Sequence, residues 1–212
     1  MGSSQIRKIA CLIPHLQTGG SERVITLLAN EFAMRSDLET HIIVYGREAP
    51  SDFVLSETVI VHRPRFKFDN RVRLLSTLRR LGFLRRAIKE GQYSALLSFG
   101  GRWNNFVMLA CLGLNARVFL SDRSSPELDI GRIQTRLRRL LYPRAAGLLA
   151  QTSQARDMAR RHGLNDRICV VPNPVVAQQL APESERQNTI LSVGRMIATR
   201  NYDYLIKIFA RS

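Results

Sequence analysis

A turn near the start of the chain, Thr18-Gly19-Gly20-Ser21, carries the residue types that bind phosphate. A short apolar run precedes the turn and an amphipathic segment follows it, which predicts a strand, a loop and a helix. Glycine lets the backbone approach a phosphate closely, and the free N–H groups at a helix N-terminus supply aligned donors. The pattern therefore predicts a phosphate-binding turn, with an ordinary tight turn as the alternative.

A second candidate site follows a late apolar run, Leu191-Ser192-Val193-Gly194-Arg195, with Arg200 five residues further on. A guanidinium group at the carboxyl end of a strand suits a pyrophosphate, because it offers two parallel hydrogen-bond donors. The alternative is an exposed arginine that happens to follow a strand.

Two titratable residues flank the glycine turn. Glu22 falls in the first turn of the predicted helix, where a carboxylate stabilises the helix dipole, and we interpret it as a helix stabiliser rather than an acid-base catalyst. His15 lies in the preceding loop and is interpreted as incidental.

Strands and helices alternate through the first three quarters of the chain. We predict strands at 6–13, 41–45, 58–62, 94–99, 116–121, 147–151 and 167–171, and helices after the glycine turn and at 71–90, 104–111, 130–141 and 153–161. This alternation predicts an α/β fold, a Rossmann-like doubly wound parallel sheet with helices on both faces.

The alternation stops at Pro172-Asn173-Pro174, and a polar, proline-containing stretch follows. Beyond it we predict one strand at 189–193 and one helix at 202–209. A single strand and helix cannot bury a core of their own. We therefore expect an N-terminal domain at 1–174, a linker at 175–188, and an incomplete second α/β domain at 189–212.

The composition is that of a globular protein, with 45% hydrophobic and 23% charged residues among 212. This excludes a wholly disordered or fibrous chain, and no apolar run approaches the ~18 residues of a membrane-spanning helix. The N-terminus lacks the features of a secretion signal, and the three cysteines are scattered without metal-ligand spacing. We expect a reducing, cytoplasmic environment and no metal site.

The net charge of +15 predicts a polyanionic partner. Residues 65–90 are strongly basic, and in the predicted helix 71–90 we expect one apolar face to pack on the sheet, formed by Leu75, Leu78, Leu81, Leu84 and Ile88. An anionic membrane surface fits this pattern, and an ordinary solvated basic face is the alternative. Nucleic acid is not expected, because aromatic residues are only 7% and do not alternate with the arginines.

Five segments in order resemble one known family, the family 4 retaining glycosyltransferases. They are the segments at 13–24, 98–104, 120–126, 170–175 and 190–195. The resemblance implies a GT-B enzyme with two Rossmann-like domains facing across a cleft, the first holding the acceptor and the second a nucleotide-sugar. It also implies retaining transfer of a hexose or N-acetylhexosamine, with no catalytic metal or cofactor, from a donor expected to be UDP-linked. The 98–104 and 120–126 segments resemble a subgroup that extends lipid-linked or surface oligosaccharides. This resemblance implies a peripheral location at the inner face of the cytoplasmic membrane.

The resemblance also assigns residues. Gly19 and Gly20 would approach the donor phosphates, and Arg195 and Arg200 would hold the diphosphate, Arg200 replacing a usual lysine. The residues expected on the acceptor side are Arg102, Asn104 and Arg123. The family's nucleotide-binding glutamate pair would fall beyond Ser212, so the chain is expected to be inactive alone. The alternatives are a non-catalytic membrane-binding remnant or subunit and, less favoured, a basic nucleic-acid binder.

Overall fold

A computed structural model describes residues 6–46, 53–123, 130–175, 189–194, 196 and 201–210. The chain divides into two compact units, Met1–Pro174 and Val175–Ser212. Within the described ranges, no helix is both long and apolar enough to cross a lipid bilayer.

The first unit is built on a parallel sheet with the strand order β3-β2-β1-β4-β5-β6-β7. Its strands are β1 (Arg7–Ile13), β2 (Leu38–Val44), β3 (Ile60–His62), β4 (Ala95–Phe99), β5 (Val118–Ser121), β6 (Gly147–Ala150) and β7 (Ile168–Val170). Its helices are α1 (Gly20–Ala33), α2 (Arg73–Gly91), α3 (Gly101–Cys111), α4 (Arg132–Leu141) and α5 (Ser153–Arg161). The predicted α/β fold with a Rossmann-like parallel sheet is confirmed, and each predicted strand of this unit is present with small shifts at its ends.

The sheet is covered on both faces, and alternate residues of β1 enter different cores. Leu12 faces a core formed with α2, α3, α4 and α5, whereas Cys11 and Ile13 face a core formed with α1. Because both faces are buried, the sequences of the central strands are continuous apolar runs and do not alternate between apolar and polar residues. This burial fixes the register of β1 against its neighbours β2 and β4.

The face that α2 presents to the sheet differs from the prediction. The buried residues are Ser76, Arg80, Leu84 and Ile88, each one a step of four along the helix. Leu75 and Leu78, predicted to be in the core, are 47% and 55% exposed. The prediction was wrong at these positions because polar contacts anchor the helix start instead: the Ser76 hydroxyl exchanges hydrogen bonds with the Asp69 backbone, and the Arg80 guanidinium stacks 4.0 Å from the centroid of the Phe68 ring.

The second unit contains α6 (Tyr202–Phe209), at the predicted position. The strand predicted at 189–193 is absent, and this prediction is wrong for the structure as described. A strand exists only through hydrogen bonds to a neighbouring strand, and the described part of this unit supplies none. The apolar side chains Ile190, Leu191 and Val193 are accordingly exposed.

One tight backbone contact holds the loop after β1 against the end of β2. A Cβ atom placed on Gly46 would lie 1.9 Å from the Pro14 carbonyl oxygen. This distance is far inside van der Waals contact, and both partners are backbone, so no side-chain rotation relieves it. The loop 14–19 therefore keeps its position only with glycine at residue 46.

We expect the Gly46→Ala substitution to destabilise the protein by about 1–3 kcal/mol, the usual effect of forcing an extra methyl group into a packed site. Urea unfolding followed by circular dichroism measures the change. Gly82→Ala is the matched control, since Gly82 lies in α2 with nothing within 4 Å of an added Cβ. Removing glycine from that helix interior is expected to stabilise by about 0.5–1 kcal/mol. Equal midpoints for Gly46→Ala and wild type would contradict the contact.

Candidate active site at the carboxyl edge of the sheet

The central strands β1 and β4 are hydrogen-bonded neighbours, and the chain leaves them in opposite directions. From β1 the chain crosses to β2 on one side, whereas from β4 it crosses to β5 on the other. In a doubly wound sheet this reversal leaves a crevice at the carboxyl ends of the two strands, and ligands bind there. The loop 14–19 and the residue Gly100 lie at this edge, each leading into a helix.

The helix α1 begins at this edge with a glycine as its cap residue. Gly19 is in an extended conformation and has no side chain to bond the first N–H groups of the helix. A Cβ atom on Gly19 would lie 2.2 Å from the Glu22 carboxylate, so a larger residue at position 19 would displace the end of that side chain. Gly20 is exposed, with nothing within 4 Å of an added Cβ. The two glycines therefore differ: Gly19 makes room for Glu22, and Gly20 leaves the helix end open to a ligand.

A carboxylate and an imidazole lie beside this helix end. Glu22 is buried, and its Oε1 atom is 3.0 Å from Nδ1 of His15. The His15 ring nitrogen is not aligned for a hydrogen bond, so the contact is an ion pair when the imidazole is protonated. The protonated form would offset a negative charge that otherwise repels an anion at the helix end. The sequence interpretation of His15 as incidental missed this contact, which joins a loop to the first turn of the next helix.

The helix α3 also begins at this edge. It follows Gly100, which has a φ of 96°, and it has no acidic residue in its first turn. The carboxylate of Asp122 lies beside this helix start, since a Cβ atom on Gly101 would be 3.4 Å from its Oδ1. The helix α5 differs, because the hydroxyl of Thr152 accepts a hydrogen bond from the Ala155 N–H. Helix α5 therefore satisfies a donor through its cap residue, whereas the cap residues of α1 and α3 are glycines, which have no side chain to do so.

An aromatic cluster borders the start of α3. The Trp103 ring is 37% exposed and packs edge-on against Tyr45, at 5.8 Å between centroids, and against Phe106, at 6.2 Å. Tyr45 is fully buried, which raises the pKa of its hydroxyl, and that hydroxyl has no hydrogen-bond partner among the described residues. Sequence reasoning missed this cluster, since nothing local relates Tyr45 to Trp103.

Asn104, predicted on the acceptor side, lies inside the domain. Its Oδ1 accepts a hydrogen bond from the Ser98 hydroxyl at 2.8 Å, and its Nδ2 donates to the Tyr142 hydroxyl at 3.2 Å and to the Ser121 carbonyl at 3.3 Å. The side chain is fully buried. With its amide already bonded on both sides, Asn104 ties α3 to β4 and β5 and does not face a ligand, which corrects the predicted role.

The other two acceptor-side candidates remain near the surface. Arg102 is exposed in the first turn of α3. Arg123 is half-buried after β5, where its guanidinium lies 4.9 Å from the centroid of the Phe99 ring and donates to the Ser121 hydroxyl at 3.3 Å. Burial lowers the pKa of Arg123 from its ordinary value, and the group remains a cation. Both arginines lie at the carboxyl edge of the sheet, and their role on the acceptor side stays a prediction.

Residues 18–179 match the family model of Glycosyltransferase Family 4. The chain belongs to this family. The resemblance inferred from the sequence is thereby confirmed, and the matched range contains the glycine turn, the N-termini of α1 and α3 and the buried Asn104 network.

Two curated relatives align with nearly the whole chain. One is GalNAc-alpha-(1->4)-GalNAc-alpha-(1->3)-diNAcBac-PP-undecaprenol alpha-1,4-N-acetyl-D-galactosaminyltransferase from Campylobacter jejuni, 26% identical, with 96% of this chain and 56% of that protein covered. The other is an uncharacterized glycosyltransferase from Haemophilus influenzae, 24% identical, with 96% and 58% covered. The family 4 chain described here thus spans a little over half the length of these relatives.

Solved structures share the fold. The lipopolysaccharide outer core galactosyltransferase WaaB, in its apo form, superposes with a TM-score of 0.61 at 16% identity, covering 84% of this chain and 50% of that chain. HepE from Anabaena in complex with UDP gives a TM-score of 0.59 at 14% identity, covering 79% and 44%. At these identities the likeness concerns the fold, and it agrees with the GT-B architecture expected for family 4.

The donor-side arginines predicted from the sequence, Arg195 and Arg200, lie outside the described residues. Among the residues that are described, no group of three or more His, Cys, Asp or Glu side chains is placed to hold a metal ion.

The buried position of Asn104 predicts a structural rather than a ligand-binding effect. Asn104→Ala leaves the Ser98 hydroxyl without its partner and removes one of the hydrogen bonds of the Tyr142 hydroxyl, and we expect a loss of about 1–3 kcal/mol in unfolding free energy. Arg102→Ala, at an exposed position two residues away, is the control and is expected to change stability by less than about 0.5 kcal/mol. Thermal and urea unfolding measure both variants. Similar stability for the two would refute the assignment of Asn104 to the core.

Proposed function

We propose that this chain is the acceptor-side domain and the beginning of the donor domain of a retaining glycosyltransferase. The reaction is transfer of a hexose or N-acetylhexosamine from a UDP-sugar to a lipid-linked or surface-polysaccharide acceptor. The observation that carries the proposal is the pair of glycine-capped helix N-termini beside the β1–β4 crevice in a family 4 chain. Support for the acceptor class comes from the Campylobacter jejuni relative, whose name specifies an undecaprenol-linked saccharide. Support for the donor class comes from HepE, which is named as a complex with UDP.

In this proposal the chain contributes to catalysis mainly by stabilising charge on the leaving diphosphate. When the bond between the sugar and the diphosphate breaks, negative charge collects on the leaving diphosphate while the sugar gains oxocarbenium character. Donors already fixed in place stabilise such charge strongly, because they need no reorganisation. The N–H groups at the start of α1 are fixed in this way, and Gly20 leaves space for a phosphate to reach them. Arg195 and Arg200 are proposed to hold the diphosphate from the second domain.

The acceptor is proposed to lie along the start of α3. Arg102 is exposed there, and Arg123 adds a second cation after β5. An acceptor on a lipid diphosphate carries negative charge that these guanidinium groups would attract. Arg102 and Arg123 are therefore proposed to orient the acceptor, whereas Asn104 supports the helix from within.

The exposed part of α2 supports an anionic membrane surface as a partner. Its exposed apolar residues are Val72, Leu74, Leu75 and Leu78. The cations Arg71, Arg73 and Arg79 lie among them and are also exposed. Exposed leucines flanked by cations are typical of segments that lie in the membrane interface, where each basic residue contributes about 1 kcal/mol. We propose peripheral attachment at the cytoplasmic face, which would bring the acceptor edge to a lipid-linked substrate.

The Gly20→Ala substitution tests the phosphate-binding role of α1. The added methyl group meets no protein atom, so folding is expected to be unchanged, but it occupies the approach to the helix N–H groups. In the complete protein that contains this chain, we expect kcat/KM for transfer from UDP-sugar to lipid-linked acceptor to fall by about tenfold or more. Transfer of radiolabelled sugar measures the rate, with Gly82→Ala as the control. Equal turnover by the Gly20→Ala variant, or no transfer by the wild type with any common UDP-sugar, would refute the proposal.

Membrane attachment through α2 is tested by removing its exposed leucines. Fully burying a leucine stabilises by about 1.5–3 kcal/mol, so Leu74→Ser combined with Leu78→Ser is expected to weaken binding to phosphatidylglycerol vesicles by about tenfold or more. Vesicle cosedimentation at low and high salt measures the partition. Met34→Ser is the control, because Met34 is 78% exposed at the end of α1, on the opposite face of the sheet. Equal binding by the double variant and wild type would exclude α2 as the contact.

A further inference from the structure

A cavity of about 640 Å³ lies between α2 and the edge strand β3, away from the candidate active site. Its lining includes Lys8 near the start of β1 and Tyr93 just before β4, so it opens beside the amino-terminal half of these strands. The glycine turn and the helix N-termini described above are at the carboxyl ends. The cavity is therefore a separate feature of the first unit, and the proposed sugar transfer makes no use of it.

A chain of hydrogen-bonded polar groups forms one wall of the cavity. Oε1 of Glu39 lies 2.8 Å from Nε2 of His41, and Nδ1 of His41 lies 2.8 Å from Nε2 of His62. The Tyr93 hydroxyl lies 3.4 Å from the same nitrogen of His62, and the two imidazole rings stack with centroids 5.1 Å apart. Polar side chains inside a protein cost stability unless they are bonded to one another, and the residues that follow His41 in β2 are apolar. The wall therefore contains titratable side chains at partly buried positions where aliphatic side chains would pack without needing hydrogen bonds.

The charge of His62 is suppressed by its surroundings. Burial and the adjacent His41 hold the pKa of His62 below its ordinary value. The hydrogen bond from His41 lowers the pKa of Glu39 from its ordinary value, so this carboxyl stays ionised at neutral pH. An anion placed against His62 would favour its protonated form and reverse the suppression.

Cations outnumber carboxylates around the cavity. The cationic lining residues are Lys8, Arg63, Arg65 and Arg86, and the carboxylate among the lining residues is Glu90. Arg86 pairs with Glu90 at 2.7 Å, and Lys8 lies 3.4 Å from Glu39. Arg63 and Arg65 follow β3 directly and add positive charge on the side of His62. The field inside the cavity therefore attracts an anion.

Aromatic side chains supply an apolar wall. Phe66 and Phe83 meet edge to face with centroids 6.5 Å apart, and both line the cavity together with Tyr93. A bare inorganic anion would leave most of the cavity empty, whereas the volume is typical of a small organic ligand. The expected ligand thus combines an anionic group with an apolar or planar body.

We propose that this cavity binds an organic phosphate, with the phosphate beside His62, Arg63 and Arg65 and the organic body against Phe66 and Phe83. Phosphate suits the arginines because guanidinium groups bind its oxygens in pairs. The same chemistry is offered by soluble phosphomonoesters and by the headgroup of an anionic lipid. The site does not depend on the proposed transferase activity.

Titration calorimetry of the 212-residue chain with phenyl phosphate tests the site. Wild type is expected to bind saturably, and Arg63→Gln combined with Arg65→Gln is expected to weaken binding by about tenfold or more, since charge-assisted bonds are lost. Arg160→Gln, at an exposed position on α5, is the matched control and is expected to bind as wild type does. Thermal unfolding of each variant separates lost binding from lost folding. Absence of saturable binding, or equal loss in the control, would overturn the proposal.

A pH series gives an independent signature. Binding should favour protonated His62, so the ratio of wild-type affinity to His62→Gln affinity is expected to be larger at pH 6 than at pH 8. Comparing the two proteins at each pH cancels the ionisation of the ligand. A ratio that does not change with pH would place the phosphate away from His62 and contradict the proposed pose.

Competition identifies the source of the phosphate. If vesicles containing phosphatidic acid displace phenyl phosphate from wild type, the natural ligand is a lipid headgroup. If they bind without displacing it, the natural ligand is a soluble phosphomonoester. Both outcomes support the site, whereas displacement that persists in the Arg63→Gln, Arg65→Gln variant would refute it.

Discussion

The parallel pairing of β1 with β4 is the constraint on which the rest of the first unit depends. The register from Ile9 opposite Ala95 to Leu12 opposite Ser98 brings together two strands that are distant in sequence. Once they are paired, right-handed crossovers place α1 on one face and the later helices on the other. The loops that leave β1 and β4 then diverge, which leaves a crevice between them at the carboxyl ends of the two strands.

Most of this architecture can be predicted from local patterns. Short apolar runs separated by amphipathic segments gave every strand of the first unit, because a strand buried on both faces needs a continuous apolar stretch. The face of α2 could not be predicted in this way. The spacing of the leucines predicts that Leu75 and Leu78 are buried. In the structure Ser76 and Arg80 face the core instead. Their partners, Asp69 and Phe68, lie in a loop whose shape is not encoded by helical periodicity.

The candidate site was predictable where its chemistry is local and was not where it depends on long-range contacts. Gly19 and Gly20 are recognised because a strand, a turn and a helix are adjacent in sequence. Asn104 was assigned to the acceptor side through the family resemblance, but its buried position depends on contacts such as that with Tyr142, which is 38 residues away. The contact between Tyr45 and Trp103 likewise requires knowing that β2 and α3 meet. The strand predicted at 189–193 shows the same limit, since extended structure needs a partner that a single segment does not provide.

The three thiols of the chain differ in reactivity because of where the fold places them. Burial raises the pKa of Cys11, in β1, to about 12, and that of Cys111, at the end of α3, also to about 12. Neither forms an appreciable amount of thiolate at neutral pH, so alkylating reagents reach them only when the protein unfolds. Cys169 is exposed on β7, shortly before the boundary between the two units. A maleimide fluorophore added to the native chain would therefore attach at that one place, and it would report on the junction without any engineered cysteine.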